Sequence, residues 1–365
     1  MIMPALGAWV HTLDPYIVRF GGGYGVRWYG TAYLTGFLLG YLLLRWLTRR
    51  GVVLIAPGRV GDAMMWFIGG VLVGGRLGYV LVYQRELLWS FSEGFPWWGL
   101  LAINQGGMAS HGGIVGVILA SWRVSRGWRE PGDARPPAPV PFLHITDAVA
   151  FLAPIGLTLG RVANFINGEL LGRIVAPPGQ PAPWWSVRFP HELSGWVSRT
   201  ERPRGHTPEL TPAQERLLWS LVDRAGDVDA LIRRADEFAP ELARILSARH
   251  PSQLYQAFAE GPVLGLILWV AWARPRKAGL IGCLFVLFYG ILRIVTEQFR
   301  LPDPQFLEGT LGEDPDGRFA GLTMGQWLSV VMVVVGVIAL PAVLGRPGPR
   351  LGGWLRPAGR PPSTP

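Results

Sequence analysis

The 365-residue chain has few charged residues and a single cysteine, and almost all of its basic residues are arginine. Only 16% of its residues are charged, whereas about 25% is typical of a soluble domain. Half of the residues are hydrophobic, and they include 17 tryptophans. These proportions exclude a wholly soluble globular protein. They indicate a polytopic membrane protein with a smaller soluble part.

The single cysteine, Cys283, excludes an internal disulfide. It lies in the apolar run GLIGCLFVLFYG, where burial keeps a thiol protonated and unreactive, so we expect no catalytic role for it. The N-terminus lacks a basic stretch followed by an uninterrupted apolar core. We therefore expect no cleaved signal peptide.

Motifs of several large enzyme classes are missing from the sequence. There is no P-loop, no Gly-x-Ser-x-Gly, no His-Glu-x-x-His and no Cys/His spacing typical of zinc sites. The segment GGRLGY is similar to part of a dinucleotide-binding loop, but no strand is predicted before it. The candidate functional residues therefore belong to none of these motifs.

Seven apolar segments are long enough for membrane helices, which need roughly 20 residues each. Small residues recur within them at four-residue spacing, as in Gly70, Gly74 and Gly78, and this spacing permits close helix packing. The fifth segment is the least regular, because Glu260 and Gly261 interrupt its start. The segments lie at about 28–47, 62–83, 106–125, 142–161, 255–273, 279–299 and 323–345.

The formal net charge of +9 is compatible with nucleic-acid binding, contact with anionic lipid or a topology signal. The distribution favours topology, because the basic residues cluster after the first, third, fifth and seventh segments. Cytoplasmic loops are enriched in this way. We therefore predict an external N-terminus, a cytoplasmic C-terminus and no nucleic-acid partner. The clusters are Arg45, Arg49, Arg50 and Arg59; Arg123, Arg126, Arg129 and Arg135; Arg274, Arg276 and Lys277; and Arg346, Arg350, Arg356 and Arg360.

The predicted fold is an all-α polytopic membrane protein with seven transmembrane helices and a small extracytoplasmic head between helices 4 and 5. Within the head we expect two amphipathic helices, near 211–225 and 228–248, the first starting with a capping box. The predicted regions are an interfacial extracytoplasmic arm at 1–27, helices 1–4 at 28–172, the head at 173–252, helices 5–7 at 253–345 and a disordered cytoplasmic tail at 346–365.

Several predicted helices bring polar groups to the same depth, near the outer end of the membrane. An arginine inside a membrane helix costs on the order of 2.5–3.5 kcal/mol and is usually paired or functional. Its planar donors match a phosphate or a carboxylate. The residues therefore predict an anion site with membrane phospholipid as its ligand. The groups, one from each of five helices, are Tyr29, Arg76, His111, Arg161 and Arg293.

More polar residues lie close to these in sequence. Asn164, Asn167 and Glu169 follow Arg161 in GRVANFINGE, and His250 lies in HPSQLYQ before the fifth helix. Glu297 and Arg300 follow Arg293 by four and seven residues, which places all three on one helix face.

Each of these residues also has a purely structural interpretation. Arg293 pairs with Glu297, Arg161 reaches the lipid headgroups or pairs with Glu169, and Arg76 serves packing. The remaining groups serve local structure in this interpretation: hydrogen bonds to freed backbone for Asn164 and Asn167, a satisfied buried imidazole for His111, interfacial anchoring for Tyr29 and a polar helix entry for His250.

Six short segments occur in the order typical of one family. Together they resemble the prolipoprotein diacylglyceryl transferase family over nearly the whole chain, except about 196–248 and the tail. The resemblance implies seven membrane helices with the N-terminus outside, in the bacterial cytoplasmic (inner) membrane. The segments are RWYG (27–30), GRLGY (75–79), GGMASHGG (106–113), GRVANFINGELLGR (160–173), HPSQLY (250–255) and YGILRIVTEQFRLPD (289–303).

The resemblance implies a transfer of the diacylglyceryl group from phosphatidylglycerol to the lipobox cysteine of a prolipoprotein. A thioether forms, glycerol 1-phosphate leaves, and no metal or cofactor takes part. Arg161 and Arg293 match the family's essential arginines, and His111 matches a histidine discussed as a base or as a structural group. Tyr29, Asn164, Glu169 and Gly172 match other positions important in the family.

Elementary chemistry indicates what the implied reaction requires. The attacking thiol, with a free pKa of about 8.5, must lose its proton, and His111 is the candidate base. The two arginines would stabilise the charge that develops on the leaving phosphate. A phospholipid transporter or flippase is the main alternative, and a structural membrane module that holds a partner is a third.

Overall fold

The computed structural model describes residues 7–21, 24–94, 96–103, 106–129, 139–197, 210–301 and 320–355, and these residues are mostly helical. The α-helices are α1 Trp28–Arg49, α2 Val60–Val82, α3 Ser110–Ser125, α4 Phe142–Ile166, α5 Glu192–Val197, α6 Pro212–Ala225, α7 Val228–Arg233, α8 Ala239–Ile245, α9 Ser252–Phe258, α10 Leu264–Ala271, α11 Leu280–Glu297 and α12 Met324–Gly345. The strands are β1 Trp9–Val10, β2 Tyr16–Gly21, β3 Tyr24–Arg27, β4 Ile174–Ala176, β5 Val187–Arg188, β6 Ala248–Arg249, β7 Arg276–Lys277 and β8 Arg350–Leu351.

Five helical segments of the described chain are long and apolar enough to cross a membrane. They correspond to the second and to the fourth through seventh predicted segments. Helices α1 and α3 occupy the first and third predicted positions but lie outside this set, and α3 has only 16 residues. The protein is therefore a mostly helical, multi-pass membrane protein. The five segments are Pro57–Val82, Phe142–Ile166, Ser252–Ala271, Leu280–Glu297 and Met324–Gly345.

Two helix boundaries differ from the prediction in ways that affect the site. Helix α3 begins at Ser110 rather than near 106, because Gly106 and Gly107 adopt positive φ angles of 89° and 78°. Helix α4 continues to Ile166 rather than ending near 161. Arg161 and Asn164 therefore project from a regular helix rather than from its frayed end.

The fifth predicted span is a broken helix. A π-helical turn, Ala259–Val263, separates α9 from α10 and contains Glu260, Gly261 and Pro262. A Cβ at Gly261 would lie 1.8 Å from the Thr158 hydroxyl oxygen, so only glycine permits this approach to α4. Turns of this kind are frequent at functional sites, and this one buries a carboxylate.

The described chain belongs to two compact units. Unit 1 consists of Met1–Gly36, Pro154–Gly265 and Val286–Val337, and unit 2 of Phe37–Ala153, Leu266–Phe285 and Ile338–Pro365.

Unit 1 contains a four-stranded sheet in the order β1-β5-β6-β4. β1 runs parallel to β5, and β6 is antiparallel to both β5 and β4. The mostly helical architecture agrees with the prediction, but the all-α class is corrected, because short strands far apart in sequence pair in this sheet. The arm predicted at 1–27 supplies β1 to this sheet and also forms the β2–β3 hairpin.

Helices α6, α7 and α8 of unit 1 pack around a buried core that includes Leu221, Leu231 and Leu242. The predicted capping box is confirmed, because Thr211 and Gln214 exchange side-chain and backbone hydrogen bonds at the start of α6. The single helix predicted at 228–248 is wrong. It is replaced by α7, α8 and strand β6, because the last residues pair in the sheet.

Unit 2 is organised by the close crossing of α2 and α3. A Cβ at Gly70 would lie 2.6 Å from the Gly116 carbonyl oxygen, and one at Gly74 would lie 2.4 Å from that of Gly112. The small-residue spacing therefore brings two backbones into contact, as predicted.

The C-terminal segment of unit 2 is ordered further than expected. Within the tail predicted at 346–365, strand β8 pairs with β7, and the Trp354 indole donates to the Trp269 carbonyl at 2.7 Å. Residues 356–365 lie outside the described residues. Leu351 in β8 and Trp354 make these contacts, although the segment is rich in proline and glycine.

We expect Gly70→Ala to destabilise the protein by about 1–3 kcal/mol, because the added methyl group meets the backbone of α3. Gly69→Ala is the matched control, since a Cβ at Gly69 meets nothing within 4 Å. Alanine there should be neutral or stabilise the helix by up to about 1 kcal/mol. Thermal unfolding of the purified variants measures the difference, and equal melting temperatures would contradict the packing assignment.

His11 should make unit 1 sensitive to acid. Burial lowers the pKa of His11 from 6.5 to about 4, and its Nε2 lies 2.8 Å from the Phe165 carbonyl oxygen. The unfolded chain binds a proton below pH 6.5 that the folded state rejects until about pH 4. Stability is therefore complete above pH 6.5 and should fall by up to about 3 kcal/mol as the pH drops to 4. Melting temperatures of wild type and His11→Gln across this range test the effect. Parallel pH profiles would disprove it.

Candidate functional site

Five charged side chains of unit 1 form an alternating row. Arg161 Nε lies 3.1 Å from Glu260 Oε2, and Glu260 Oε1 lies 3.3 Å from Arg293 Nη1. Arg293 Nη2 lies 2.9 Å from Glu297 Oε2, and Glu297 Oε1 lies 3.7 Å from Arg300 Nη1. We call these residues the charged ladder. It begins and ends with an arginine.

The ladder is assembled from three helical segments. Arg161 projects from α4 and Glu260 from the π-helical turn, while Arg293 and Glu297 are one turn apart on α11. Arg300 follows just after the end of α11. The predicted pair of Arg293 and Glu297 is confirmed, but the carboxylate that faces Arg161 is Glu260 rather than Glu169.

Burial makes the ladder's charge balance important. The Glu260 side chain is fully buried, and the side chains of Arg161 and Arg293 are only 17% and 11% exposed. Within the ladder itself, three arginines face two glutamates, so these five described side chains sum to one positive charge. A site of this sign and low exposure favours an anion, because little water is present to screen it.

Neighbouring residues fix the ladder in place. The Tyr289 hydroxyl hydrogen bonds with Arg161. A Cβ at Gly325 of α12 would lie 2.8 Å from Glu297 Oε1, so the glycine lets that carboxylate pack against the helix.

A second polar group lies on α4, one turn after Arg161. The Asn164 amide donates to the Tyr29 hydroxyl at 3.2 Å and to Glu169 Oε1 at 2.7 Å. Tyr29, Asn164 and Glu169 are therefore brought together, as the sequence suggested. Asn164 bonds side chains here, so its role extends beyond the backbone capping considered above.

The segment after α4 is a constrained turn. Gly168 and Leu170 both have positive φ angles, 67° and 58°, and leucine adopts such a conformation only when its surroundings impose it. Gln253 Nε2 donates to the Glu169 carbonyl at 2.6 Å, and the Ser252 hydroxyl donates to the Leu170 carbonyl at 3.2 Å. The HPSQ segment thus positions the backbone that carries Glu169.

Gly172 ends this turn in a crowded position. A Cβ there would lie 2.0 Å from the His250 carbonyl oxygen. The Gly172 carbonyl accepts from Arg249 at 3.1 Å, and its backbone bridges to Arg300 of the charged ladder. Gly172 therefore permits a close approach of two segments of the chain.

Two amide oxygens beside the turn are buried without a hydrogen-bond donor from the described residues, namely Asn167 Oδ1 and Gln253 Oε1. An unsatisfied buried acceptor is costly, so such atoms mark places where a ligand hydroxyl or water gains most.

His250 belongs to an aromatic cluster. Its ring stacks on Trp185 at 5.2 Å and meets the edge of Phe299 at 5.1 Å. Burial lowers the pKa of His250, so the ring is uncharged at neutral pH. These contacts favour the structural interpretation of this residue.

Arg76, in unit 2, holds a loop. Its guanidinium donates to the carbonyls of Gly99, Leu100, Gly106 and Gly107 at 2.5–3.0 Å. With its donors directed at backbone oxygens, Arg76 fixes the segment before α3 rather than presenting its charge to a ligand. This geometry favours the packing interpretation.

His111, also in unit 2, is exposed at the start of α3. Its Nε2 lies 3.3 Å from the Tyr83 hydroxyl, and the two rings are 6.0 Å apart. The buried, satisfied histidine considered above does not match this exposure.

Glu260 is the main site residue that the sequence analysis missed. It was noted only as an interruption of the fifth apolar segment. A carboxylate in such a segment is a signal in itself, since it requires a cation nearby.

Among the described residues, no group of three His, Cys, Asp or Glu side chains could hold a metal ion.

Comparison with known proteins places this geometry in a family. The prolipoprotein diacylglyceryl transferase family model matches residues 15–341. The phosphatidylglycerol–prolipoprotein diacylglyceryl transferase of Bdellovibrio bacteriovorus is 38% identical, over 95% of this chain and 97% of its own length. The enzyme of the same name from Neisseria gonorrhoeae is 34% identical over 90% and 95% of the two chains. That of Ruegeria pomeroyi is 36% identical over 88% and 91%. The chain, with its charged ladder within the matched region, belongs to the prolipoprotein diacylglyceryl transferase family.

Proposed function

We propose that this protein transfers the diacylglyceryl group of phosphatidylglycerol to the lipobox cysteine of a prolipoprotein. The family membership and the names of its relatives supply the reaction. The structural observation that carries the proposal is the charged ladder, a buried row with one positive charge in excess. Such a row suits the phosphate of a phospholipid that reaches the site from the membrane.

In the proposed reaction the cysteine thiolate attacks the carbon of the diacylglycerol part that bears the phosphate ester. A carbon–sulfur bond forms and the carbon–oxygen bond breaks, so glycerol 1-phosphate leaves with the bonding electrons. Arg161 and Arg293 stabilise the charge that develops on the phosphate, because preorganised donors act most strongly where water is scarce. Glu260 keeps the two arginines in place between turnovers.

The thiol proton requires an acceptor, for which we propose His111. Its exposure at the start of α3 leaves the ring accessible to a substrate, and histidine is the side chain that most often serves as a general base. The Tyr83 hydroxyl beside it would orient the ring.

The amide oxygens of Asn167 and Gln253 suit the hydroxyl groups of the glycerol headgroup. Both are buried acceptors, and the headgroup of phosphatidylglycerol offers two donors. Tyr29, Asn164 and Glu169 would line the same substrate path, while Gly172 and Arg300 support it.

We further propose seven transmembrane helices in the bacterial inner membrane, with the N-terminus outside and the C-terminus in the cytoplasm. The basic clusters after alternate helices support this orientation. The sheet and helices α5–α8 then form an extracytoplasmic head, where a prolipoprotein with its lipobox would arrive.

The direct test uses purified protein, phosphatidylglycerol in micelles and a peptide with a lipobox cysteine. Mass spectrometry follows the peptide, and a coupled assay follows glycerol phosphate. We expect a diacylglyceryl adduct and glycerol phosphate in equal amounts. A folded protein that yields neither product would refute the proposed function.

Arg293→Lys should lower turnover at least about 100-fold, because an ammonium cannot reproduce the two-sided contact of the guanidinium with Glu260 and Glu297. The matched control is Arg224→Lys, since Arg224 is exposed and pairs with Glu241 at 3.5 Å outside the site. Initial rates on the lipobox peptide measure both variants. Retained turnover in Arg293→Lys would limit this arginine to a structural ion pair.

His111→Gln tests the proposed base. Glutamine keeps a polar side chain of similar reach but accepts no proton near neutral pH, so we expect a fall of about 100-fold in kcat. The loss should shrink at high pH, where the peptide thiol ionises without help. Nearly full activity at neutral pH would assign the proton transfer to another group.

A further inference from the structure

Unit 2 contains a recess of about 470 Å³ at the start of α4 and the end of α12. Its walls are apolar or proline-rich, and the two charged residues that line it, Lys277 and Arg346, are both cationic. Among the lining residues are Phe142, Leu143, Val343, Pro349, Lys277 and Arg346. None of the residues that line it is acidic.

The two cations that line the recess differ in their surroundings. Lys277, the only lysine of the chain, lies in β7 and donates through Nζ to the Gly348 carbonyl at 2.7 Å. This contact uses one of its three donors. Arg346 is exposed just after the end of α12, and Arg350 pairs opposite Lys277 in β8.

The recess lies at the ends of two candidate membrane spans, where lipid headgroups are expected. Phe142 begins one candidate membrane span and Gly345 ends another, so the recess lies where apolar helices end. Bilayer interfaces, with their phosphates, are found at this level. The apolar residues Phe142, Leu143 and Val343 face the same space as the cations.

We propose that this recess binds the phosphate of an anionic phospholipid, with Lys277 and Arg346 as its cationic partners. Ammonium and guanidinium groups form strong charge-assisted hydrogen bonds with phosphate. The apolar wall receives the glycerol backbone and the first acyl carbons. The residues that line the recess belong to unit 2, whereas the charged ladder belongs to unit 1.

Positive charge at this end of the helices also serves as a topology signal, but that role needs no recess. The two interpretations differ in location. A topology signal depends on the number of cations, whereas a binding site depends on the two that line the recess. Arg49, at the end of α1 and exposed, therefore provides a matched control for Arg346.

The single lysine permits a local measurement. The full-length protein in phosphatidylcholine nanodiscs, with or without dioleoyl phosphatidic acid, is treated with an amine-reactive acetyl ester. Peptide mass spectrometry then gives the acetylation rate of Lys277. We expect phosphatidic acid to slow this rate at least about fivefold in wild type and in Arg49→Gln. The protection should be lost in Arg346→Gln.

Protection that persists in Arg346→Gln would overturn the proposal, because it would reflect the surface potential of the membrane rather than a site. Equal loss in Arg49→Gln would overturn it as well. Inorganic phosphate added to phosphatidylcholine nanodiscs separates the sources. Protection by phosphate alone would assign the site to free phosphate and overturn the lipid, whereas protection only by phosphatidic acid supports it.

The transfer reaction is measured on the same variants. Arg346→Gln and Arg49→Gln should keep peptide lipidation within about twofold of wild type, since both residues belong to unit 2 and the charged ladder belongs to unit 1. A failure of the recess proposal thus leaves the proposed transferase function untouched, and the reverse also holds.

Discussion

The contact of Glu260 with Arg161 and Arg293 is the interaction on which the site depends. The carboxylate is fully buried and holds two guanidiniums that come from different helices. Without it, like charges would face each other in a region of low exposure, and removing one partner from a buried ion pair typically costs about 3–5 kcal/mol.

Exceptions to regular backbone geometry bring these groups together. The π-helical turn carries Glu260, and the positive φ angle of Leu170 directs the chain past Gly172 and His250. Gln253 and Ser252 hold that turn through its carbonyl oxygens. Strain of this kind persists where surrounding contacts outweigh it, and such positions are concentrated at functional sites.

Much of this architecture was predictable from the sequence, because apolar length and helical period are local properties. The helices, the capping box at Thr211 and the pair of Arg293 with Glu297 all follow from residues close in sequence. The pairing of the sheet could not be predicted, since strands of two or three residues have no clear alternation and pair across long separations.

The partner of Arg161 could not be predicted for a related reason. Arg161 and Glu260 are 99 positions apart in sequence, and Glu169 was a candidate much nearer to Arg161. For Arg76 the position in an apolar helix was evident from the sequence, but its hydrogen-bond partners were not. Its four carbonyl partners depend on the path of a glycine-rich loop.

The π-helical turn also determines a direction in space. A regular helix advances about 100° around its axis with each residue, and a π turn accommodates one additional residue. A chain with one residue fewer here would remain equally apolar and equally helical. Its carboxylate would nevertheless point about 100° away from the two guanidiniums. The register of a single helical turn therefore decides whether Glu260 meets Arg161 and Arg293 at all.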